Sequence, residues 1–186
     1  SAAPLAPGFC DTAGPIEVEG TILGVTPTAY ATLGAAFAAI NAGTHTGAIT
    51  IDVCGDTNEG AATATLNASG SGSASYTSIT MAPAGGAART ISGATTAGSP
   101  MIDFSGADNV LIDGLNSGGN SLTIANTTVA ATSGTSTIRF IGGATNNTIT
   151  NSTIQGSGTM SVATNGAVIF FSTDGVTTNG NDNNTI

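Results

Sequence analysis

The sequence contains no lysine and no tryptophan, and charged residues make up only 7% of it. An ordinary soluble domain has roughly a quarter of its residues charged. The two arginines, Arg89 and Arg139, face eleven carboxylates, which leaves a net charge of −9. Such a shortage of cations excludes a protein that tracks nucleic-acid phosphates, and it argues against a basic anchor on a membrane surface.

Long hydrophobic runs are also missing from the chain. No stretch approaches the roughly 18 apolar residues that a membrane span needs, so no membrane span is expected. Residues 1–8 lack the charged start and apolar centre of a signal peptide, which is typical of a mature or trimmed N-terminus. The mean hydropathy is nevertheless positive, at +0.26. Short, regular runs of Ile, Val and Leu therefore indicate a folded chain.

Cysteine is scarce, with Cys10 and Cys54 the only two. In a chain rich in Ser, Thr and Asn, such a pair favours a secreted protein with one disulfide joining the N-terminal segment to the first strand. The alternative is two unpaired thiols. Two thiols and the single His45 at unrelated spacings do not form a tetrahedral metal set, and no cofactor is predicted.

One helical pattern precedes many strand-like ones. Residues 1–27 form an extended segment punctuated by Pro and Gly, in which Ile16-Glu17-Val18-Glu19 alternates as a strand does. A helix is predicted over 28–43, with Thr28 as its N-cap and Gly43 at its end. Its apolar face is formed by Tyr30, Leu33, Phe37 and Ile40. Residues 44–186 then carry short strands separated by Gly, Asn and Ser corners. The predicted strands are 49–53, 78–81, 101–104, 109–115, 121–125, 138–141, 148–154, 168–171 and 185–186.

An internal repeat gives the architecture of the strand region. Residues 101–112 align with 138–149 at an offset of 37, with four identities, and a third copy appears at 183–186. About three short strands per period, without helices between them, predict a parallel β-solenoid whose stacked coils share one apolar column. Equivalent side chains then stack about 4.8 Å apart, which predicts an amide ladder of Asn109, Asn146 and Asn183.

The solenoid gives the predicted helix a role, because the end of a coil exposes strand edges and an open core. An amphipathic helix directly before the first coil is well placed to cap that end. The third copy of the repeat stops mid-coil at Ile186. We therefore expect either a piece of a longer solenoid or an open end that supports association.

Several segments together resemble a known family. The helix, the run Ile49-Thr-Ile-Asp-Val-Cys54, the run Asp108-Asn-Val-Leu-Ile-Asp-Gly114 and the Asn-Asn-Thr-Ile repeats are similar to the β-helix regions of large secreted bacterial surface proteins of the adhesin type. The resemblance covers roughly residues 28–186, and pectate-lyase-like enzymes share the architecture. It implies an all-β, right-handed parallel β-helix with an N-terminal capping helix, export, a stalk or adhesive role, and no cofactor.

The only concentration of carboxylates that suggests an enzyme is formed by Asp103, Asp108 and Asp113. A glycoside hydrolase needs two carboxyl groups roughly 5–10 Å apart across a groove. By the 37-residue offset, the next coil replaces them with Phe140, Thr145 and Thr150, and Arg139 lies one coil from Ile102. No carboxylate row follows the axis, so no enzyme is predicted, and these Asp residues are interpreted as corner caps.

Three further signals are weak. Asp174 and Asp182 lie in Gly/Asn-rich runs similar to calcium-binding turns, although an Asx-rich loop explains them as well. His45 is interpreted as a histidine in a surface turn. Thr148 and Thr185 are in register by the 37-residue offset, but Leu111 occupies the first copy, so no threonine row that would bind ice is predicted.

The predicted function is that of a secreted, non-enzymatic structural protein of the cell surface or extracellular matrix. It would serve as a stalk, an adhesin module or a self-assembling filament subunit. Self-association is expected through strand edges, by adding the N-terminal segment of one chain near the last strand of another; the residues concerned are Ile16, Val18, Ile22, Val25 and Ile186. The alternative is a β-helix protein that binds or cleaves polysaccharides, with surface glycans as partners.

Overall fold

The computed structural model describes residues 8–156, 167–176 and 178–186. Within these ranges the chain is mostly β-sheet with one α-helix, and its strands form a β-solenoid of about three turns. The first seven residues of the predicted extended segment lie outside the described residues.

Three elements precede the coils: β1 (Ile16–Gly20), β2 (Thr28–Tyr30) and α1 (Leu33–Asn41). The coil strands then form three faces, each with four parallel strands in the described residues. Face 1 contains β3 (Gly47–Val53), β6 (Tyr76–Pro83), β9 (Val110–Asp113) and β12 (Thr148–Thr150). Face 2 contains β4 (Thr57–Asn58), β7 (Ala88–Gly93), β10 (Ser121–Asn126) and β13 (Ser152–Gly156). Face 3 contains β5 (Ala64–Asn67), β8 (Pro100–Ser105), β11 (Ser136–Ile141) and β14 (Ile169–Phe171).

The repeat length differs from face to face. Leu111 pairs with Thr148, and Thr148 with Thr185, both 37 residues apart as predicted. On face 3, however, Ile102 pairs with Ile138, 36 residues on. The expected offset of 37 throughout is therefore wrong, because the corner between faces 3 and 1 holds one residue more in the later coil. The one-residue difference decides which side chains of β8 and β11 are neighbours.

The core is a column of inward-facing side chains shared by successive coils. Ile91, Ile124 and Ile154 are in register on face 2. Four phenylalanine rings form a second column along face 3, with centroid separations of 6.4, 5.2 and 4.8 Å; in order they are Phe37, Phe104, Phe140 and Phe171. The first ring of that column comes from α1, so the helix packs directly on the core of the coils.

The helix is shorter than predicted. Thr28 is not its N-cap, because it lies in β2 and pairs with Val18 of β1. The N-cap is Thr32, whose side chain accepts a hydrogen bond from the Ala35 N–H at 3.1 Å. The predicted end is confirmed: Gly43 has a φ of 75°, and it closes a C-terminal turn that returns N–H groups to the last carbonyls.

Two side chains tie α1 to the first coil. The Glu59 carboxylate accepts hydrogen bonds from the N–H groups of Leu33 and Gly34, at 2.9 and 2.8 Å. At the other end of the helix, the Asn41 amide donates to the Thr65 carbonyl and accepts from the Asn67 N–H. Because Thr65 and Asn67 belong to β5, the helix satisfies backbone groups at the edge of face 3.

In the described residues, no helix has the length and apolar character needed to cross a membrane.

The N-terminal strand covers the first coil strand of face 1. β1 was predicted from its alternation, and it pairs antiparallel with β3 on one side and with β2 on the other. The predicted disulfide is confirmed: Cys10 and Cys54 are bonded across 44 residues. Cys54 directly follows β3, so the disulfide ties the start of the described chain to the end of that strand.

The strands that sequence patterns missed are those with few large apolar residues. β5 contributes Leu66 and β7 contributes Ile91 as their large core side chains, and the rest of each strand is small, polar or Arg. The segment from Thr148 to Ile154 was predicted as one strand, but Asn151 has a φ of 52° and divides it into β12 and β13.

Candidate functional site

The first of the three carboxylates singled out from the sequence, Asp103, has a cationic partner in the structure. Asp103 of β8 lies beside Arg139 of β11 and not, as the 37-residue offset predicted, beside Phe140. The guanidinium donates two hydrogen bonds to the carboxylate, from Nε at 2.9 Å and from Nη2 at 2.7 Å. The buried Asp103 side chain also raises the pKa of Arg139. This bidentate pair joins two coils and gives the carboxylate a cationic partner.

The other two predicted carboxylates also join coils. Asp108 accepts hydrogen bonds from the backbone N–H and the hydroxyl of Thr145, at 2.7 and 2.8 Å. Asp113 accepts from the Leu115 N–H and from the Asn151 amide, both at 2.9 Å. Asp113 lies on face 1, whereas Asp103 lies on face 3. The structure therefore does not gather the three acids into one groove, and each has structural hydrogen bonds.

The asparagine ladder is formed one residue later than predicted. Asn109, Asn146 and Asn183 occupy equivalent corners, with φ of 59°, 56° and 57°, and they are exposed. The side chains that join coils are those of Asn147 and Asn184. Each accepts from a backbone N–H 37 residues earlier at 2.9 Å and donates to a carbonyl 40 residues earlier. The repeat thus pairs a left-handed residue that turns the chain with a following asparagine that bonds to the coil below.

Sequence reasoning did not identify an acidic cluster under the N-terminal segment. Glu17 of β1 and Asp52 of β3 are cross-strand neighbours, and both are buried. Residues 8–12 supply their hydrogen bonds: Gly8 N–H donates to Asp52 at 3.1 Å, while the N–H groups of Asp11 and Thr12 donate to Glu17. Burial, with a smaller effect of the neighbouring carboxylates, raises the pKa of Asp52 to about 7.

His45 was predicted to lie in a surface turn, but it is fully buried. Its Nε2 accepts the Tyr30 hydroxyl at 2.7 Å, and its Nδ1–H donates to the Gly24 carbonyl at 3.1 Å. Burial lowers the pKa of the imidazole, so the neutral form is favoured. The histidine thus holds the connection between β1 and β2 against the first coil. The turn composition around it carried no signal of this burial, because the covering residues lie about twenty positions earlier.

The predicted assembly segment divides into two parts. Ile16 and Val18 are completely buried in the core of their own chain, so they are not free to pair with a neighbouring chain. Ile22, Val25 and Ile186 are exposed. In the state described here β1 already pairs with β3 on one side and with β2 on the other, so its addition to another molecule would require it to leave these strands first. Association through this strand stays a prediction.

The run that resembles a calcium-binding turn, around Asp174, forms a local hydrogen-bond network. Asp174 accepts hydrogen bonds from the Val176 N–H at 2.9 Å and from the Asn179 amide at 3.0 Å, and these bonds lower its pKa. Asp182 is exposed nearby in sequence. Among residues 8–156, 167–176 and 178–186, no group of three or more His, Cys, Asp or Glu side chains is placed to hold a metal ion.

Threonine rows exist that the constant offset had hidden. On face 1, successive strands bring one outward position of each coil into register, filled in order by Thr50, Thr80, Leu111, Thr148 and Thr185. A second row on face 2 consists of Thr90, Thr123 and Thr153. These positions alternate with buried ones, so they lie on the outside of the coils. The outer surface is therefore rich in hydroxyl groups along both faces.

Comparison with family models, with curated proteins and with solved structures finds no match for this chain. The resemblance to secreted surface proteins and to pectate-lyase-like enzymes thus depends on the sequence motifs and on the solenoid architecture alone.

Proposed function

We propose that this chain is a secreted, non-enzymatic structural module of a cell surface or extracellular matrix. In this proposal the coils form a right-handed parallel β-helix that acts as a stalk, and α1 caps its N-terminal end. The observation that carries the proposal is that Asp103, Asp108 and Asp113 are each used in hydrogen bonds between neighbouring coils. Acids used in this way stabilise the stack and are not poised for proton transfer to a substrate.

Three other features support the proposal. The disulfide favours an oxidising compartment outside the cytosol. The ring of Phe37 continues the phenylalanine column of the coils, and Glu59 and Asn41 bond α1 to the first coil, which is the contact that a cap requires. The outward threonine rows give the stalk a surface rich in hydroxyl groups. An adhesive role, or contact with surface glycans, would use this surface.

The same proposal includes self-association through strand edges, with one condition at the edge of β3. The β3 edge is already paired with β1, so a second chain reaches it only after β1 leaves. A filament subunit of this kind would therefore assemble by strand exchange and not by simple addition.

Removal of one coil tests the proposal. Deleting residues 112–148 joins Leu111 to Ile149 and keeps the observed register between β9 and β12. Because the deleted coil contains Arg139, this variant and its control also carry Asp103→Asn, so that no buried carboxylate is left without its cation. We expect a folded protein that is one strand spacing shorter, about 4.8 Å, because a stalk has no unique site to lose. The matched control deletes residues 112–147, which places Thr148 inward and should prevent folding.

Circular dichroism, urea unfolding and small-angle scattering compare the two deletions. A polysaccharide-cleaving activity in the full chain that the in-register deletion abolishes would overturn the proposal. So would equal behaviour of the two deletions, because register would then not govern the stack. The purified full chain, incubated with a panel of polysaccharides, supplies the baseline for the first comparison.

A further inference from the structure

The segment that covers the first coil strand of face 1 is held by two interactions, one that depends on pH and one that depends on the redox state. We call residues 8–20 the strap; it includes β1 and the chain before it. The first is the carboxyl pair of Glu17 and Asp52, and the second is the disulfide from Cys10 to Cys54. Both lie at the boundary between the strap and β3.

The carboxyl pair is placed so that two negative charges are unfavourable. The side chains are cross-strand neighbours, 4% and 5% exposed, and the segment over them supplies N–H donors. The charged groups that act on Asp52 from the strap are Glu17, Glu19 and Asp11, all carboxylates. From the other side, its neighbour on β6 is Ala82, which is uncharged. Two like charges in this setting repel each other without a cation between them.

The cation nearest to the strap is directed elsewhere. Arg89 lies near Cys10, where a side chain at Gly85 would meet both, and its guanidinium donates to the Ala84 carbonyl from Nε and Nη2. It therefore contributes to the turn after β6, and the charges that act on Asp52 are those of carboxylates.

One polar group of the strap also lacks a hydrogen bond within the described residues. The buried hydroxyl of Thr12 has no hydrogen-bond partner in the described residues. Release of the strap lets this hydroxyl bond to water, which lowers the free-energy cost of opening.

We propose that the strap is a gate on the edge of β3, held closed by a proton on the buried Asp52 side chain, next to Glu17, and by the Cys10–Cys54 disulfide. Loss of the proton puts two charges under the strap and favours opening. Reduction by a dithiol removes the tether: the two protein sulfurs become thiols, and the dithiol becomes its own disulfide. An open strap uncovers the β3 edge, which is the surface that strand exchange would use.

The pH dependence follows from the raised pKa of Asp52, about 7. Because the closed state binds the proton more tightly than the open state, closure is most stable at acidic pH and weakens as pH rises through 7. The equilibrium constant for opening should increase about tenfold between pH 6 and pH 8.

Hydrogen exchange of the full chain, measured by mass spectrometry and corrected for the intrinsic pH dependence, tests the gate. We expect the amides of Gly8, Asp11 and Thr12 to exchange about tenfold faster at pH 8 than at pH 6 in the oxidised protein. In Asp52→Asn, which keeps an oxygen for the Gly8 N–H, the change should be less than about twofold. Asp56→Asn is the matched control, because Asp56 is exposed and bonds to Thr90 N–H; it should keep the tenfold change.

The second arm compares oxidised and dithiol-reduced protein at pH 8. Reduction should make residues 8–14 the first site of limited proteolysis and should speed their exchange further. Exchange of the strap that is the same at pH 6 and pH 8, or a tenfold change that persists in Asp52→Asn, would overturn the proton gate. Equal exchange and proteolysis before and after reduction would overturn the role of the disulfide.

Discussion

Replacing Glu59 with alanine is expected to loosen α1 from the first coil. The buried carboxylate accepts the first two backbone N–H groups of the helix, from Leu33 and Gly34, and no N-cap side chain replaces it there. Each donor left without an acceptor costs about 1–2 kcal/mol, so we expect a loss of about 3 kcal/mol in the free energy of unfolding. For a chain of this size that corresponds to a decrease in Tm of about 6–12 °C.

Two companion variants make this prediction specific. Glu59→Gln keeps one oxygen that can accept a single hydrogen bond, so its cost should be about half, or about 1.5 kcal/mol. Asp56→Asn changes an exposed carboxylate three residues earlier and should stay within about 0.5 kcal/mol of the wild type.

Urea denaturation measures the free energy of unfolding of all three variants. Circular dichroism is the probe, because the chain has no tryptophan whose fluorescence could be followed. A Glu59→Ala variant within about 0.5 kcal/mol of the wild type would refute the reasoning that the first coil holds the helix N-terminus. A reduced dependence on urea with an unchanged midpoint would likewise refute it, because it would indicate a change in the unfolded state or in cooperativity.

Two further predictions concern the corner asparagines and the buried histidine. Asn147→Ala should cost about 2–3 kcal/mol in urea denaturation, because it removes two hydrogen bonds and leaves the Val110 N–H without an acceptor. Asn146→Gly should be nearly neutral, since glycine adopts the left-handed conformation freely, and a larger loss here than in Asn147→Ala would contradict the assignment of the ladder. His45 has a lowered pKa, so the unfolded chain binds its proton more readily and the stability supplied by neutral His45 is lost as pH falls below 6.5. In thermal denaturation at pH 7.5 and pH 5, His45→Gln should therefore lose less stability on acidification than the wild type, and an equal loss would contradict this role.

The strand region could be predicted from residue patterns where large apolar residues alternate, as in β3, β8 and β11. The short strand β4 and the small-residue strand β7 were not predicted, because Thr, Ser, Ala and Gly carry little pattern information. The threonine rows were missed for another reason. They depend on register, and the register between coils varies with the length of each corner.

The contacts of the titratable residues were harder still to predict. Asp103 was singled out from the sequence, but its partner Arg139 became its neighbour only through the 36-residue spacing on face 3. The buried pair of Glu17 and Asp52 joins residues 35 positions apart, on strands that run antiparallel, whereas the repeat predicts parallel neighbours. No local pattern contains that pairing.

Periodicity, a helix-ending glycine and the cysteine count are local or countable properties, so residue patterns were enough to predict the solenoid, one helix before it and a disulfide between the two cysteines. How the first coil is closed depends on contacts that form only in the folded chain. The antiparallel docking of β1, the burial of His45 and the contact of Glu59 with α1 all join segments that are distant in sequence. Such contacts are chosen by which edge and which core surface remain uncovered once the coils have stacked, and that choice exists only in three dimensions.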